Sequence, residues 1–195
     1  GCKDKLKIGV KILIINLDAM GDVLMTTARL PELKRKYPES TIHWITLKNA
    51  APLLDNNPYL DKVFVYNFES LSIIENMNYD IAMNVDKSQR AGSLIMSLNA
   101  GKKLGFGMNG AGQIIPLNKG AEYNYNLGMD DHLKFKVNNR TGEDYLAETF
   151  EIEYVRDEYV FNFSEEELDF IEKYKHSVGI KSDDKIIGFN TGCSE

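Results

Sequence analysis

Cysteine is almost missing: the 195-residue chain carries two, Cys2 and Cys193, near its opposite ends. Neither has a second cysteine close by, so no disulfide framework or zinc knuckle is written here, and both read as free thiols. Long apolar runs are missing too. The longest, 10–17 (VKILIINL), is broken by Lys11 and falls far short of the roughly 20 residues needed to cross a bilayer, which excludes a transmembrane span. That stretch follows Lys3, Lys5 and Lys7 but has no small-residue cleavage site; it reads as a strand rather than a signal peptide, and a cytoplasmic address follows. A basic excess is absent as well. Against 29 Asp and Glu stand 23 Lys and Arg, a formal net charge of −6, which argues against non-specific nucleic-acid binding. Histidine is scarce, and His43, His132 and His176 stand alone without a ligand-spaced partner, so they read as structural or surface residues. No internal repeat or low-complexity tract is present.

What remains is an ordinary globular composition at a length that can fill one core, with hardly room for a second complete domain. Segment 10–17 has the near-continuous aliphatic pattern of a strand buried on both faces of a parallel sheet. After a short loop, 22–37 places Val23, Leu24, Thr27, Leu30 and Leu33 at helical spacing and ends in Lys34-Arg35-Lys36 before Pro38. Further strands are expected at 41–47, 62–66, 79–85 and 103–106, with a short helix at 50–56 holding Pro52 in its first turn and another at 90–98. Strands alternating with helices imply right-handed crossovers and a doubly wound, Rossmann-like α/β parallel sheet. The Gly- and Asn-rich stretch 107–118 reads as a loop or small hairpin. Segments 141–150 and 164–176 read as helices, the second opened by Ser164 with Glu167 three residues on, a capping-box signature. Segment 185–190 (KIIGFN) reads as a new buried strand that would open a second domain.

Charge is uneven. The first 60 residues carry nine Lys and Arg against six Asp and Glu. Lys34 to Lys36 has two readings: the plainer is the solvated C-terminal end of a helix, the sharper a contact with an anionic substrate or a membrane surface.

The stretch Asn16-Leu17-Asp18-Ala19-Met20-Gly21-Asp22-Val23 is the most informative, because ligands of open α/β sheets collect where strand C-terminal ends meet helix N-termini. Gly21 would permit a tight turn there. Asp22 falls at the N-cap or first turn of the helix; the plainer reading is a cap, and the functional one is a general base over the ligand crevice. Helix N-termini favour ionised carboxylates and so weaken them as bases, which makes the base role depend on closure of a second domain. Asp86, Lys87 and Arg90 stand at a later strand end, either as a solvated strand-to-helix turn or as contacts to an anionic acceptor group. Asp18, Asp22 and Asp86 could together hold Mg²⁺ in a non-enzymatic, flavodoxin-like module. The glycine fingerprint of a dinucleotide site is not at the first turn; its spacing occurs at Gly105, Gly107 and Gly110, where no strand-to-helix turn is expected, and this speaks against a nicotinamide-dependent dehydrogenase.

MGDVL after an apolar strand, followed roughly 35 residues on by NNPYLDKV, resembles the opening of glycosyltransferase family 9, the ADP-heptose:lipopolysaccharide heptosyltransferases and their relatives. The resemblance continues through YDIAMNVDKSQRA and KLGFG and reaches IIGFNTGCSE. It implies a two-domain GT-B fold, with 1–180 as the acceptor-binding half and 181–195 as the start of a nucleotide-sugar-binding domain whose remainder is missing. It implies inverting transfer with neither metal nor separate cofactor, an ADP-linked sugar as donor, heptose among the candidates, and a lipid-linked or core-oligosaccharide acceptor at the inner face of the cytoplasmic membrane. Asp22 falls on the family's general base, Asp18, Met20 and Gly21 on the acceptor side of the same turn with Asp86, Lys87 and Arg90, and Thr191, Gly192 and Ser194 on the donor-phosphate loop. Two positions depart from the pattern: Asp18 stands where small hydroxyl residues are frequent, and Asn16 where a basic residue is frequent. The added negative charge speaks against a heavily phosphorylated acceptor.

Overall fold

Strand β1 (Lys11–Ile15) is apolar along its length because its alternate residues enter two different cores. Ile12 and Ile14 pack with Ile42, Trp44, Leu30 and Leu33 on one face of the sheet. Leu13 and Ile15 pack with Ile45, Phe64, Leu94 and Ile95 on the other. In this computed structural model, which describes residues 9–181, 183–189 and 192, β1 is central in a six-stranded sheet of order β3-β2-β1-β4-β5-β6. The neighbours are β2 (Thr41–Thr46), β3 (Lys62–Val65), β4 (Asn78–Asn84), β5 (Asn99–Met108) and β6 (Ile114–Pro116). Every pairing is parallel except β5 with β6, which is the small hairpin expected from the Gly- and Asn-rich stretch. The doubly wound α/β architecture is thus present. Leu30 and Leu33 cover one face from α2 (Arg29–Lys36), and Ile74 of α3 (Phe68–Glu75) with Leu94 and Ile95 of α4 (Gln89–Ser97) covers the other.

The helix expected over 22–37 is two helices, α1 (Met20–Thr26) and α2. Pro31 is the reason: it has no N–H, and its ring crowds the carbonyl four residues back, at Thr27, so a continuous helix cannot pass it. In the first turn of a new helix the missing N–H costs nothing. Two α-helices of the described residues had no counterpart in the sequence reading, α3 and α5 (Lys119–Leu127), which precedes α6 (Gly142–Thr149), nor had the π-helical turn Leu133–Val137. The compact units divide as Gly1–Phe161 and Asn162–Glu195. In the second, α7 (Glu165–Ser177) begins as the capping box foretells: Ser164 accepts from the Glu167 N–H at 3.2 Å and Glu167 accepts from the Ser164 N–H at 2.7 Å. The strand expected at 185–190 is not formed over the described residues 185–189, where Ile186, Ile187 and Phe189 are exposed. Cys2, Cys193, Thr191 and Ser194 lie outside the described residues, and Gly192 falls in the Asn162–Glu195 unit.

Candidate functional site

Strand order reverses at β1. Chains leaving β1 and β4 therefore diverge to opposite faces, and a crevice opens beyond their C-terminal ends. A cavity of about 810 Å³ occupies it, with Asp18, Asp22 and Thr26 on the β1 side, Asp86, Lys87 and Ser88 on the β4 side, and Thr141, Glu143 and Tyr145 closing it from α6.

Two buried asparagines fix the walls. Asn16, fully buried after β1, donates through Nδ2 to the Asp22 carbonyl at 3.2 Å and to the Thr26 hydroxyl at 2.9 Å, tying α1 to the strand end. Asn84, the last residue of β4, donates to the Phe106 carbonyl at 2.6 Å and the Asp86 carbonyl at 3.0 Å, while its Oδ1 accepts from the Asp86 N–H at 3.0 Å. Asp86, only 8% exposed, then reaches across the crevice and accepts from the N–H groups of Leu17 at 2.5 Å and Asp18 at 3.4 Å. Burial pushes its carboxyl up to about 6 against those two hydrogen bonds, and the charges of Asp18 and Asp22 act in the same direction as burial.

Asp22 is exposed, in the first turn of α1. The N-cap is Ala19, whose side chain cannot cap, and Asp22 compensates by accepting from the Ala19 N–H at 3.4 Å. Tyr145 lies within electrostatic reach of it: burial raises the phenol's pKa, with smaller contributions from Tyr123 and Asp22. α6, which brings Tyr145 and Glu143, is held from α2 by fully buried Arg29, which donates to the Glu143 carbonyl at 3.2 Å beside Glu32 at 3.1 Å. Glu143 itself accepts from the hydroxyls of Tyr154 at 3.1 Å and Tyr159 at 2.8 Å.

Asp18, Asp22, Asp86 and Lys87 share the cavity wall; Met20, Gly21 and Arg90 are not in it. Arg90 forms an ion pair with Asp18, so its guanidinium is committed to the chain's own carboxylate. Gly21 does not make a tight turn: it is helical, and a Cβ there would meet nothing within 4 Å. Lys87 donates to the Asn124 carbonyl at 2.6 Å and side-chain oxygen at 2.9 Å and lies over the Phe106 ring. The three acids do not converge as a metal site would require, since Asp18 faces Arg90, Asp22 its own helix and Asp86 two backbone N–H groups. Among the described residues no three His, Cys, Asp or Glu side chains are grouped to hold an ion.

Two of the three glycines at fingerprint spacing, Gly105 and Gly107, have structural duties instead, while a Cβ on Gly110 would meet nothing within 4 Å. A Cβ on Gly105, at φ +90°, would sit 1.8 Å from the Asn84 carbonyl, and one on Gly107 would sit 2.6 Å from the Leu117 side chain. The cations of Lys34 to Lys36 are likewise used internally: Lys34 donates to the Ser40 carbonyl, Lys36 to the Glu151 carbonyl, and Arg35 pairs with Asp157. Tyr145, Thr141 and Glu143 were missed from sequence because they come from a helix more than a hundred residues after Asp22. Asn16 and Asn84 left a signal, a polar residue closing each of two apolar strands.

A central parallel sheet, a reversal at β1 and a crevice on the carboxyl ends of its strands define a Rossmann-like α/β domain with a cavity at its switch point. No family model matches the chain. It is similar to a solved glycosyl transferase family 9 structure from Veillonella parvula, with a TM-score of 0.72 at 18% identity over 95% of this chain and 55% of that one. It is also similar in fold to ADP-heptose lipopolysaccharide heptosyltransferase II of Escherichia coli, with a TM-score of 0.53 at 16% identity over 89% of this chain and 52% of that one. Among curated proteins, lipopolysaccharide heptosyltransferase 1 of Campylobacter coli is 24% identical over 130 residues, 62% of this chain and 37% of that protein. Lipopolysaccharide heptosyltransferase 3 of Escherichia coli is 26% identical over 97 residues, 43% of this chain and 28% of that protein. The chain is thus similar in sequence to curated lipopolysaccharide heptosyltransferases and in fold to solved glycosyltransferase family 9 structures, and the matched region spans about a third of the length of these curated relatives.

Proposed function

We propose that this chain is the acceptor-binding half of an inverting, metal-independent glycosyltransferase with Asp22 as its general base. The acceptor hydroxyl would lose its proton to Asp22 as its oxygen bonds to the anomeric carbon, and the nucleoside diphosphate would leave from the opposite face. One carboxylate and no covalent nucleophile suffice for that displacement. The observation that carries the reading is Asp22 itself: an exposed carboxylate on the wall of the switch-point cavity, accepting from the Ala19 N–H, on a residue whose backbone carbonyl is tied to Asn16. Asp86 is the rival base, its carboxyl raised by burial to about 6. Its burial and its two backbone donors assign it instead to holding the Leu17–Asp18 turn. Asp18 is offset by Arg90, so the repulsion that its charge alone would offer an anionic acceptor is reduced at this wall.

The relatives' names support an ADP-linked sugar, heptose among the candidates, as donor and lipopolysaccharide as acceptor; another envelope glycan as acceptor and the inner face of the cytoplasmic membrane as the place of transfer are part of the proposal. No helix among the described residues is long and apolar enough to cross a membrane. Thr191, Gly192 and Ser194 are proposed to meet the donor phosphates, in a second domain that starts near residue 181. The test is ADP release from an ADP-sugar by the chain extended with its donor-binding half, with and without a deacylated lipopolysaccharide-core acceptor. Acceptor-dependent release is expected; no release from any nucleotide sugar by a folded two-domain protein would overturn the assignment.

A further inference from the structure

Tyr145 brings to the switch-point cavity a polar group that the chain itself leaves unused. The phenols around it are all engaged: Tyr123 donates to the Asn138 side chain at 2.7 Å, and Tyr154 and Tyr159 donate to the Glu143 carboxylate. Tyr145 accepts from the Thr149 hydroxyl through its backbone carbonyl, but among the described residues its own hydroxyl has no hydrogen-bond partner. A half-buried hydroxyl without a partner in the protein is left to whatever enters the cavity that it lines. The phenol is also held in place. Tyr145 leans back along α6, so that a Cβ on Gly142 would stand 3.3 Å from its hydroxyl, and its ring lies against that of Tyr123 with 6.3 Å between centroids. The first turn of α6 is pinned in turn, since Arg29 donates to the Glu143 carbonyl while two phenols hold the Glu143 carboxylate. From α1, which packs against α6, comes Asp22 on the same cavity wall. The two groups differ in kind: a carboxylate only accepts hydrogen bonds, whereas a phenol both donates and accepts. A hydroxyl that gives its proton to Asp22 and a second that pairs with Tyr145 use both. A phosphate meets repulsion at Asp22, and an ammonium has no lone pair with which to attack.

We infer that Tyr145 is a specificity-determining residue: its hydroxyl bonds a second hydroxyl of the acceptor sugar, neighbouring the one that reacts, so that the acceptor carries a free diol at the place of transfer. This rests on the transferase reading for which hydroxyl reacts, but recognition of the diol by the cavity does not depend on it. A sugar lacking the second hydroxyl leaves the phenol unpaired in a half-buried place, and that is the source of the discrimination.

The experiment titrates the 195-residue chain with methyl α-mannoside and with each of its monodeoxy forms, read from the NMR methyl signals of Met25 and Thr26 on the cavity wall. The parent sugar is expected to shift both signals, and at least one deoxy form should bind about tenfold more weakly. Tyr145→Phe, which keeps the ring against Tyr123, should weaken the parent sugar about tenfold and erase that deoxy penalty, because the two hydroxyls are halves of one bond. In the chain joined to its donor-binding half, the same variant should raise the KM of a deacylated lipopolysaccharide-core acceptor about tenfold and leave kcat within about threefold. Unchanged affinity in Tyr145→Phe would overturn the assignment. So would a weakened variant that keeps the full deoxy penalty, since the ring would then act by packing. No shift at Met25 or Thr26 with any of these sugars would overturn the diol subsite. A transferase assay that fails while the penalty and its loss in Tyr145→Phe both hold would count against the proposed reaction alone.

Discussion

Two strand ends of this molecule carry the same three-residue pattern, and the protein uses it in opposite ways. β1 is followed by Asn16-Leu17-Asp18, and β4 ends at the first residue of Asn84-Val85-Asp86. In both, the asparagine is fully buried and staples the chain beyond the strand. The aspartates then part. Asp18 lies half exposed in an ion pair with Arg90, whereas Asp86 is buried and spends its carboxylate on the backbone of the other copy of the pattern, at Leu17 and Asp18. One strand end therefore braces the other. A pattern that is symmetric in sequence becomes asymmetric because only β1 stands at the switch point with a helix turn hanging over the cavity, and that turn needs a support from its neighbour.

The largest effect expected from breaking this arrangement is on chemistry. In the chain joined to its donor-binding half, Asp22→Ala should lower turnover by about 10²-fold or more, the scale of lost general-base catalysis, with donor KM little changed. Steady-state ADP release checks it.

Next comes Asn84→Ala. Its amide uses both ends in three hydrogen bonds, so removal leaves buried backbone groups unpaired and should cost about 3 kcal/mol in urea unfolding. Asn16→Ala sharpens the contrast: only its Nδ2 is bonded and its buried Oδ1 has no partner, so a loss of about 1 kcal/mol is expected.

Asp86 supplies the pH dependence. Its folded carboxyl titrates near 6 and a free one near 3.8, so the native state binds the extra proton between those values and stability falls as pH rises through the window. Asp86→Asn keeps an acceptor for Leu17 and removes the charge. Relative to wild type it should gain about 2 kcal/mol between pH 4 and pH 7, read from unfolding midpoints at each pH. A constant difference across that range would show that the buried charge carries no cost. Smallest of all is Arg90→Ala, which releases Asp18 from an exposed pair and should change stability by less than about 1 kcal/mol.

How far the sequence could be read follows from the same contrast between local and distant causes. Strands β1 to β4 were legible because each is a short apolar run bounded by turn residues, and α7 because Ser164 and Glu167 mark its start within four residues. α3 escaped because it is a two-turn helix with Phe68 exposed and Ile74 alone fully buried, too short for a periodic signal. α5 holds Gly120 and two asparagines, poor helix formers, and is held by packing: a Cβ on Gly120 would sit 2.0 Å from the Glu148 carbonyl of α6. At the site, Asp22 and Asp86 could be named from their positions after apolar strands. The burial of Asp86, its span across to Leu17 and the arrival of Tyr145 depend on which strands become neighbours, and no local spacing encodes that.

Asp22 and Asp86 also give the most direct test, because burial raises the Asp86 carboxyl toward the range of a base while access to the cavity favours Asp22. The measurement is kcat for acceptor-dependent ADP release, at one pH above 7, of Asp22→Asn and Asp86→Asn beside wild type. The account predicts a loss of at least about 10²-fold for Asp22→Asn and of less than about tenfold for Asp86→Asn. Near-normal turnover in Asp22→Asn together with collapse in Asp86→Asn would contradict it and move the proton to the buried carboxylate.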